Sequence, residues 1–130
     1  MEPEGETRVA IVPNSMKKLL KAGFEVVIEN GAGNSANYSD SEYSEAGASM
    51  SDRDSVMSCE IIISIRLPDV GELTKGQIVA CVADPFRHPE KVQACIDGGI
   101  TLMSMDMIPR RLSRAQSMDV NSSQDNLAGY

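Results

Sequence analysis

Three nearly unbroken apolar runs constrain this chain more than any other feature. Ile61, Ile62, Ile63 and Ile65 lead up to Pro68, and Ile78–Val82 and Ile100–Met105 repeat the type. Continuous rather than alternating hydrophobicity predicts strands buried on both faces, as in parallel sheets. Between the last two runs Pro89 opens a helix carrying Val92, Ala94, Cys95 and Ile96, which Gly98 and Gly99 close. Strands alternating with helices imply right-handed crossovers, hence an α/β fold on a doubly wound parallel sheet.

The N-terminal half carries the same alternation. Met16, Leu19 and Leu20 repeat at helical spacing, with Asn14 or Ser15 as the cap and Gly23 as the stop. Lys17, Lys18 and Lys21 lie toward that helix's C-terminus, where the dipole favours them. Phe24–Glu29 reads as a strand, and Ser39 with Glu42 makes a capping-box pair opening a short helix through Tyr43 and Ala46 to Gly47. Another short helix is expected around Asp52–Ser58, and Arg8–Val12 is apolar enough to be a strand. Both ends fit such a lobe badly. Residues 106–121 show no clear period, and Ser122 with Asp125 has the pattern of an N-cap whose helix stops at Tyr130. A helix of about two turns gains little from its own hydrogen bonds. No further strand precedes the first helix, so the lobe reads as truncated at both ends.

Composition excludes several classes. A chain of 130 residues makes one domain. Twelve basic against nineteen acidic residues give a net charge of −7, which argues against general electrostatic binding of nucleic acid or anionic lipid. There is no apolar run of about 18 residues to span a bilayer, and the N-terminus lacks the basic-then-apolar order of a signal peptide. Cys59, Cys81 and Cys95 are odd in number, widely spaced and in apolar surroundings. They read as buried free thiols of a reducing cytoplasm, with no metal site. His88, the only histidine, falls in the turn-rich stretch 84–89 and reads as a solvated loop residue. The methionines 103, 105, 107 and 118 read as core filling.

Two segments are candidates for chemistry. Gly31-Ala32-Gly33-Asn34-Ser35-Ala36 follows a strand and spells a dinucleotide fingerprint, but turn residues follow it and the next helix signal starts only at Ser39. It therefore reads as a glycine turn. The segment from Pro109 to Asp119 is more informative. Arg110, Arg111 and Arg114 put three of the seven arginines within five positions, with no acid between Asp106 and Asp119. This cluster leaves the carboxyl end of a predicted strand, where open α/β sheets place ligands. Arginine's planar fork suits carboxamide, carboxylate or phosphate. Gln116, Asp119 and Ser122 follow at three-residue spacing, which a helical stretch would align. Arg8 and Arg66, at predicted strand edges, read as ordinary surface charges, with a place facing the same cleft as the alternative. The residues alone define a polar ligand or partner site; a solvated loop, or a non-catalytic module whose arginines dock an acidic partner, is the alternative.

The run Arg111-Leu112-Ser113-Arg114-Ala115-Gln116-Ser117-Met118-Asp119, continuing through Ser122-Ser123 to Asn126-Leu127-Ala128-Gly129-Tyr130, closely resembles the alpha subunit of proton-translocating NAD(P) transhydrogenase. The likeness extends to Arg8–Pro13, Lys21–Val26, Gly31–Gly33 and Tyr43–Ala48; these earlier motifs are shared with alanine dehydrogenase. The resemblance implies a flavodoxin-like or Rossmann-like three-layer lobe, residues 1–130 forming the N-terminal lobe of the alanine dehydrogenase/transhydrogenase type. The lobe with the genuine NAD fingerprint falls outside the chain, as does the family's usual first strand. It further implies NAD(H) as cofactor, NADP(H) on a partner domain, and direct hydride transfer coupled to proton movement through a membrane domain. The assembly would be a homo-oligomer, cytoplasmic and peripheral to the inner membrane, and the isolated chain would be inactive. By the same resemblance Arg111 holds the nicotinamide side and Gln116 reaches toward NADP(H). Asp119 and Ser122 steer the nicotinamide and its ribose, and Tyr130 packs nearby. The family loop carries proline directly before the matched arginine, whereas Arg110 intervenes here, so Arg110 and Arg111 share that assignment. An alanine-dehydrogenase-like lobe fits less well, because Ser64 stands for its substrate lysine and its catalytic histidine has no counterpart near Val79–Ala83.

Overall fold

The computed structural model describes residues 5–109, 111, 113–121 and 124. Helix α1 (Pro13–Lys21) opens on Pro13, whose fixed φ and missing N–H suit the first turn. The N-cap position is Val12, without a side-chain bond, so the expected caps Asn14 and Ser15 lie inside the helix. The chain then turns through Gly23 into β1 (Val27–Glu29), which is shorter than the stretch from Phe24 predicts. Helix α2 (Asp40–Glu45) begins at the predicted capping box: Ser39 Oγ accepts from Glu42 N at 3.4 Å, and Ser39 N donates to Glu42 Oε2 at 2.7 Å. Strand β2 (Ser49–Ser51) pairs parallel with β1, Val27 opposite Ser49. Its residues, Ser-Met-Ser, carry no apolar run for a sequence reading to find. Helix α3 (Arg53–Met57) starts at Asp52, whose Oδ1 accepts from Ser55 N at 2.9 Å.

The second half follows the predicted alternation. Strands β3 (Ile61–Arg66), β4 (Ile78–Val82) and β5 (Thr101–Ser104) form a parallel sheet with β4 central, Val79 lying opposite both Ile62 and Leu102. Helix α4 (Pro89–Gly98) connects β4 to β5 and ends on Gly99 in the left-handed region, φ 68°. Buried Gln77 pins the approach to β4, its Nε2 donating to the carbonyls of Met57 and Cys59, both at 2.7 Å, while its Oε1 accepts from Thr74 N at 2.6 Å. Ile62, Val79, Cys81, Ala83, Cys95 and Ile100 pack as one cluster, and Met16, Ile28 and Tyr43 as another. Cys81 and Cys95 are the buried free thiols expected, whereas Cys59 is only half-buried. Among the described residues no helix is long and apolar enough to cross a membrane.

The fold is α/β with parallel sheets and flanking helices, but four expectations need correction, and one is that Met103, Met107 and Met118 are exposed rather than core filling. The strands form two parallel sheets, β1–β2 and β3–β4–β5, rather than one. Strand β3 is not buried on both faces, for Ile61 and Ile63 are 41% and 43% exposed. Arg8–Val12 is not a strand. A side chain rather than a ladder holds it: the buried Tyr43 hydroxyl donates to Ile11 O at 2.8 Å. The chain thus runs irregularly into α1 while α2 holds it down.

Tyr43 also explains the glycine turn, since a Cβ on Gly33 would stand 2.6 Å from its ring and 2.7 Å from the carbonyl oxygen of Tyr38. Gly33→Ala should therefore destabilise the protein by about 1–3 kcal/mol through overpacking. Tyr43→Phe, which strips the bond from the Ile11 carbonyl, should cost about 1–2 kcal/mol. Urea midpoints of the two variants check both values.

Candidate functional site

Because β3, β4 and β5 run parallel, their carboxyl ends share one edge. A cleft of about 630 Å³ opens there, lined by Arg8, Tyr38, Arg66, Asp84, Arg87 and Asp106 together with Val120, Asn121 and Gln124. Arg8 and Arg66 thus face one cleft, the alternative to the surface-charge reading of both.

Each charged group in this wall has a place. Arg8 Nε and Nη2 donate to Glu6 Oε1 and Oε2, both at 2.7 Å, and its Nη1 donates to Gln124 Oε1 at 3.2 Å. One guanidinium therefore joins the N-terminal segment to the C-terminal one. The Arg8 bonds, helped by the Arg66 charge and opposed by burial, bring the Glu6 carboxyl down to about 2. Asp106 builds the turn after β4: its Oδ2 accepts from Asp84 N at 3.1 Å, and its Oδ1 from Ala83 N at 3.3 Å and Ser104 Oγ at 2.5 Å. Those bonds hold Asp84 at φ 46°, a conformation non-glycine residues rarely adopt. The Asp84 carbonyl then accepts from the amides of Arg87 and His88 at 3.1 and 3.0 Å. His88 itself is exposed, with Nδ1 3.2 Å from Glu90 Oε1, and is not among the residues lining the cleft.

The arginine-rich segment leaves this same edge. Helix α5 (Ser113–Gln116) is one turn, closed as Ser117 Oγ donates to the Arg114 carbonyl at 2.9 Å. Arg111 and Arg114 are exposed, and Arg111 is not among the cleft-lining residues. Asp119 is only 1% exposed, and its Oδ1 accepts from Asn121 N at 3.1 Å. Val120, Asn121 and Gln124 are helical, so a helical stretch begins just after Asp119, and the cap expected at Ser122 lies outside the described residues. The break at Ser117–Met118 also means that no single helix aligns Gln116 with Asp119. Arg110, Ser122 and Tyr130 lie outside the described residues, as does the side chain of Gln116. Glu6, Arg87 and Asp106 escape a sequence reading: isolated charges in loops, they acquire a role only when distant segments meet.

The glycine turn does not fit a pyrophosphate. Gly31 N already donates to Asp40 Oδ1 at 2.9 Å, and Asn34–Ala36 form a single 3₁₀ turn rather than the start of a helix. The edge carrying the cleft and the arginine loop is the better candidate.

Parallel α/β layers with a polar cleft beyond the strands' carboxyl ends define the open-sheet α/β class, whose ligands meet the fold at that edge. Within that class, residues 2–128 match the family model of the alanine dehydrogenase/PNT N-terminal domain, and the chain belongs to that family. It is 39% identical over 132 residues to the NAD(P) transhydrogenase subunit alpha of Cereibacter sphaeroides, covering 98% of this chain and 25% of that protein. Identity to the NAD(P) transhydrogenase subunit alpha of Haemophilus influenzae is 32% over 130 residues, covering 98% of this chain and 25% of that protein. The crystal structure of transhydrogenase from Sinorhizobium meliloti superposes with a TM-score of 0.91 at 38% identity, over 100% of this chain and 40% of that one. The likeness to transhydrogenase alpha subunits is thus borne out, and the chain spans well under half the length of each.

The Arg8–Glu6 bonds tie the cleft to pH. A carboxyl held at about 2 against an ordinary 4.5 contributes stability that is present above about pH 4.5 and is lost as pH falls toward 2. Glu6→Gln should therefore flatten the loss of melting temperature between pH 5 and pH 2.5, with little change in its slope above pH 6. Thermal melts of both proteins across that range check this.

Proposed function

We propose that this chain serves as the N-terminal lobe of an NAD(P) transhydrogenase alpha subunit, where its 111–121 loop completes a hydride-transfer site. The observation that carries the reading is the position of that loop. It is rooted by buried Asp119 beside the carboxyl-edge cleft, and it presents exposed Arg111 and Arg114 outward. When bound, the two dinucleotides supply the hydride donor and acceptor themselves. The residues of this chain would act by positioning. The Arg111 fork suits a carboxamide or carboxylate, and Gln116 offers an amide toward a second nucleotide. Asp119 and Ser122 would steer the nicotinamide and its ribose, with Tyr130 packing nearby and Arg110 sharing the role of Arg111. NAD(H) would be held chiefly by a second lobe outside this chain, and NADP(H) by a partner domain. That assembly would be a homo-oligomer at the cytoplasmic face of a membrane, coupling the transfer to proton movement through a membrane domain.

The experiment is a chimera in which this chain replaces the matching N-terminal segment of the Cereibacter sphaeroides alpha subunit. The chimera should reduce NADP⁺ with NADH in the presence of the remaining subunits. Arg111→Ala should lower that rate at least tenfold, and so should Asp119→Asn, with circular dichroism confirming that the lobe stays folded. Losses smaller than tenfold would sink the assigned roles. Calorimetry of the 130-residue chain alone with NADH should show no saturable binding.

A further inference from the structure

Only one asparagine of the chain, Asn30, is followed by glycine. That pair has a chemistry of its own. The backbone nitrogen after an asparagine can attack the side-chain carbonyl carbon Cγ, and glycine leaves that nitrogen unhindered because no Cβ crowds it. The N–Cγ bond forms as the Cγ–Nδ2 bond breaks, and ammonia leaves with the proton that the backbone nitrogen gives up. Water then opens the resulting succinimide at either carbonyl. One opening yields aspartate; the other yields isoaspartate, in which the main chain runs through the former side chain.

The local structure bears directly on this step. Asn30 is exposed, so water reaches its side-chain amide. Residues 29–32 form a β-turn closed by Ala32 N donating to Glu29 O at 3.0 Å, and Gly31 at φ 76° makes it type II. Asn30 N donates to Ser51 O at 2.9 Å, which ties the turn to the end of β2. Gly31 N, the nucleophile itself, donates to Asp40 Oδ1 at 2.9 Å.

We propose that Asn30-Gly31 is a succinimide-forming site, held latent by the bond from Gly31 N to Asp40. The attacking nitrogen has to shed its proton and turn out of its present peptide plane. The turn fixes that plane from one side and Asp40 from the other. The Asp40 carboxylate holds the proton and, as a negative charge at hydrogen-bond distance, opposes the amide anion that attack requires. A carboxylate is too weak a base to remove an amide proton itself. Asp40 is the first residue of α2, whose Tyr43 hydroxyl holds the Ile11 carbonyl. Lifting α2 away therefore frees residues ahead of α1 and uncovers the nucleophile in one event, so modification at Asn30 records that α2 has left its place. Isoaspartate would lengthen the main chain within the turn and misplace Gly33, whose missing Cβ makes room for the Tyr43 ring. Neither Asn30 nor Asp40 lines the carboxyl-edge cleft, so the inference is independent of the hydride-transfer reading.

The test incubates the intact chain at 37 °C and about pH 8 and follows each asparagine by fragment-ion mass spectrometry. In the native protein Asn30 should deamidate at least a hundredfold more slowly than in the same chain unfolded by urea. Asp40→Ala should raise the native rate at Asn30 at least tenfold, while Asn34, which precedes Ser35, keeps its rate. A native rate equal to the unfolded one would overturn the inference, and so would an unchanged rate at Asn30 in folded Asp40→Ala. A lower rate in that variant would also overturn it, because Asp40 would then be assisting the attack. Acceleration at Asn34 as well as Asn30 marks an unfolded Asp40→Ala, and Asp40→Asn then decides. That variant keeps an oxygen to accept from Gly31 N, so Asn30 should stay at least tenfold slower than in urea; loss at the unfolded rate would overturn the inference.

Discussion

Strand β4 is hydrogen-bonded on both sides, to β3 and to β5, and every strand in that ladder runs the same way. A parallel ladder gathers the carboxyl ends of its strands at one edge, so the chain must leave β3, β4 and β5 into the same space. Each exit there exposes backbone groups that the ladder no longer pairs. At β4 the solution is Asp106, which collects the amides of Ala83 and Asp84 and anchors itself to Ser104. The carboxylate is supplied by the residues following β5, so the exits of two neighbouring strands are fixed together. A buried amide left without a partner costs about 1–3 kcal/mol. That penalty gives a polar residue a reason to sit where the strand ends, and a polar wall to the cleft is the consequence.

The opposite wall is held by side chains instead of a ladder. Residues 5–12 have no strand partner among the described residues, yet they are tied at two points. The Tyr43 hydroxyl holds the Ile11 carbonyl, and Arg8 links Glu6 to Gln124. The N-terminal and C-terminal segments meet above the cleft through that guanidinium. Its charge is balanced in place by Glu6, and Arg87 lies 3.5 Å from Asp84. The exposed Arg87 pair adds little stability. The cleft is accordingly a compensated polar surface, suited to orienting a neutral or singly charged group by hydrogen bonds rather than to trapping a polyanion by charge.

How much of this was legible in the sequence differs by element, and the reasons are physical. The three apolar runs, the Pro89–Gly99 helix and the Ser39–Glu42 box are local signals, because a few adjacent residues satisfy one another. They appear where expected. Strand β2 carries no such signal: Ser49 and Ser51 gain strand geometry from the β1 ladder, not from their own propensity. The apolar run of β3 correctly marks a strand but overstates its burial, because hydrophobicity reports what a strand is suited to meet, not what covers it. Arg66 was legible as a strand-edge residue, whereas Arg8, read the same way, sits on no strand. Glu6, Arg87 and Asp106 were not, since what they do depends on how the chain closes: the Asp106 bonds to Ala83 and Asp84 span more than twenty positions.

The loop from Arg111 to Asp119 divides its labour along its length. A segment that must act on something outside its own chain needs an exposed tip and an immobile root, for a tip on a free root loses the orientation that makes it useful. Arg111 and Arg114 are exposed, whereas Asp119 is buried and bonded to the amide of Asn121. Residues just beyond that root, Val120, Asn121 and Gln124, line the cleft, and Gln124 accepts from Arg8. The root is thus fastened to the wall that the β-ladder and Glu6 already fix. A solvated loop with no task would have no need of a buried carboxylate, whose desolvation must be offset by its bonds. That cost keeps the root of the segment in place while Arg111 and Arg114 stay exposed at the same edge as the cleft.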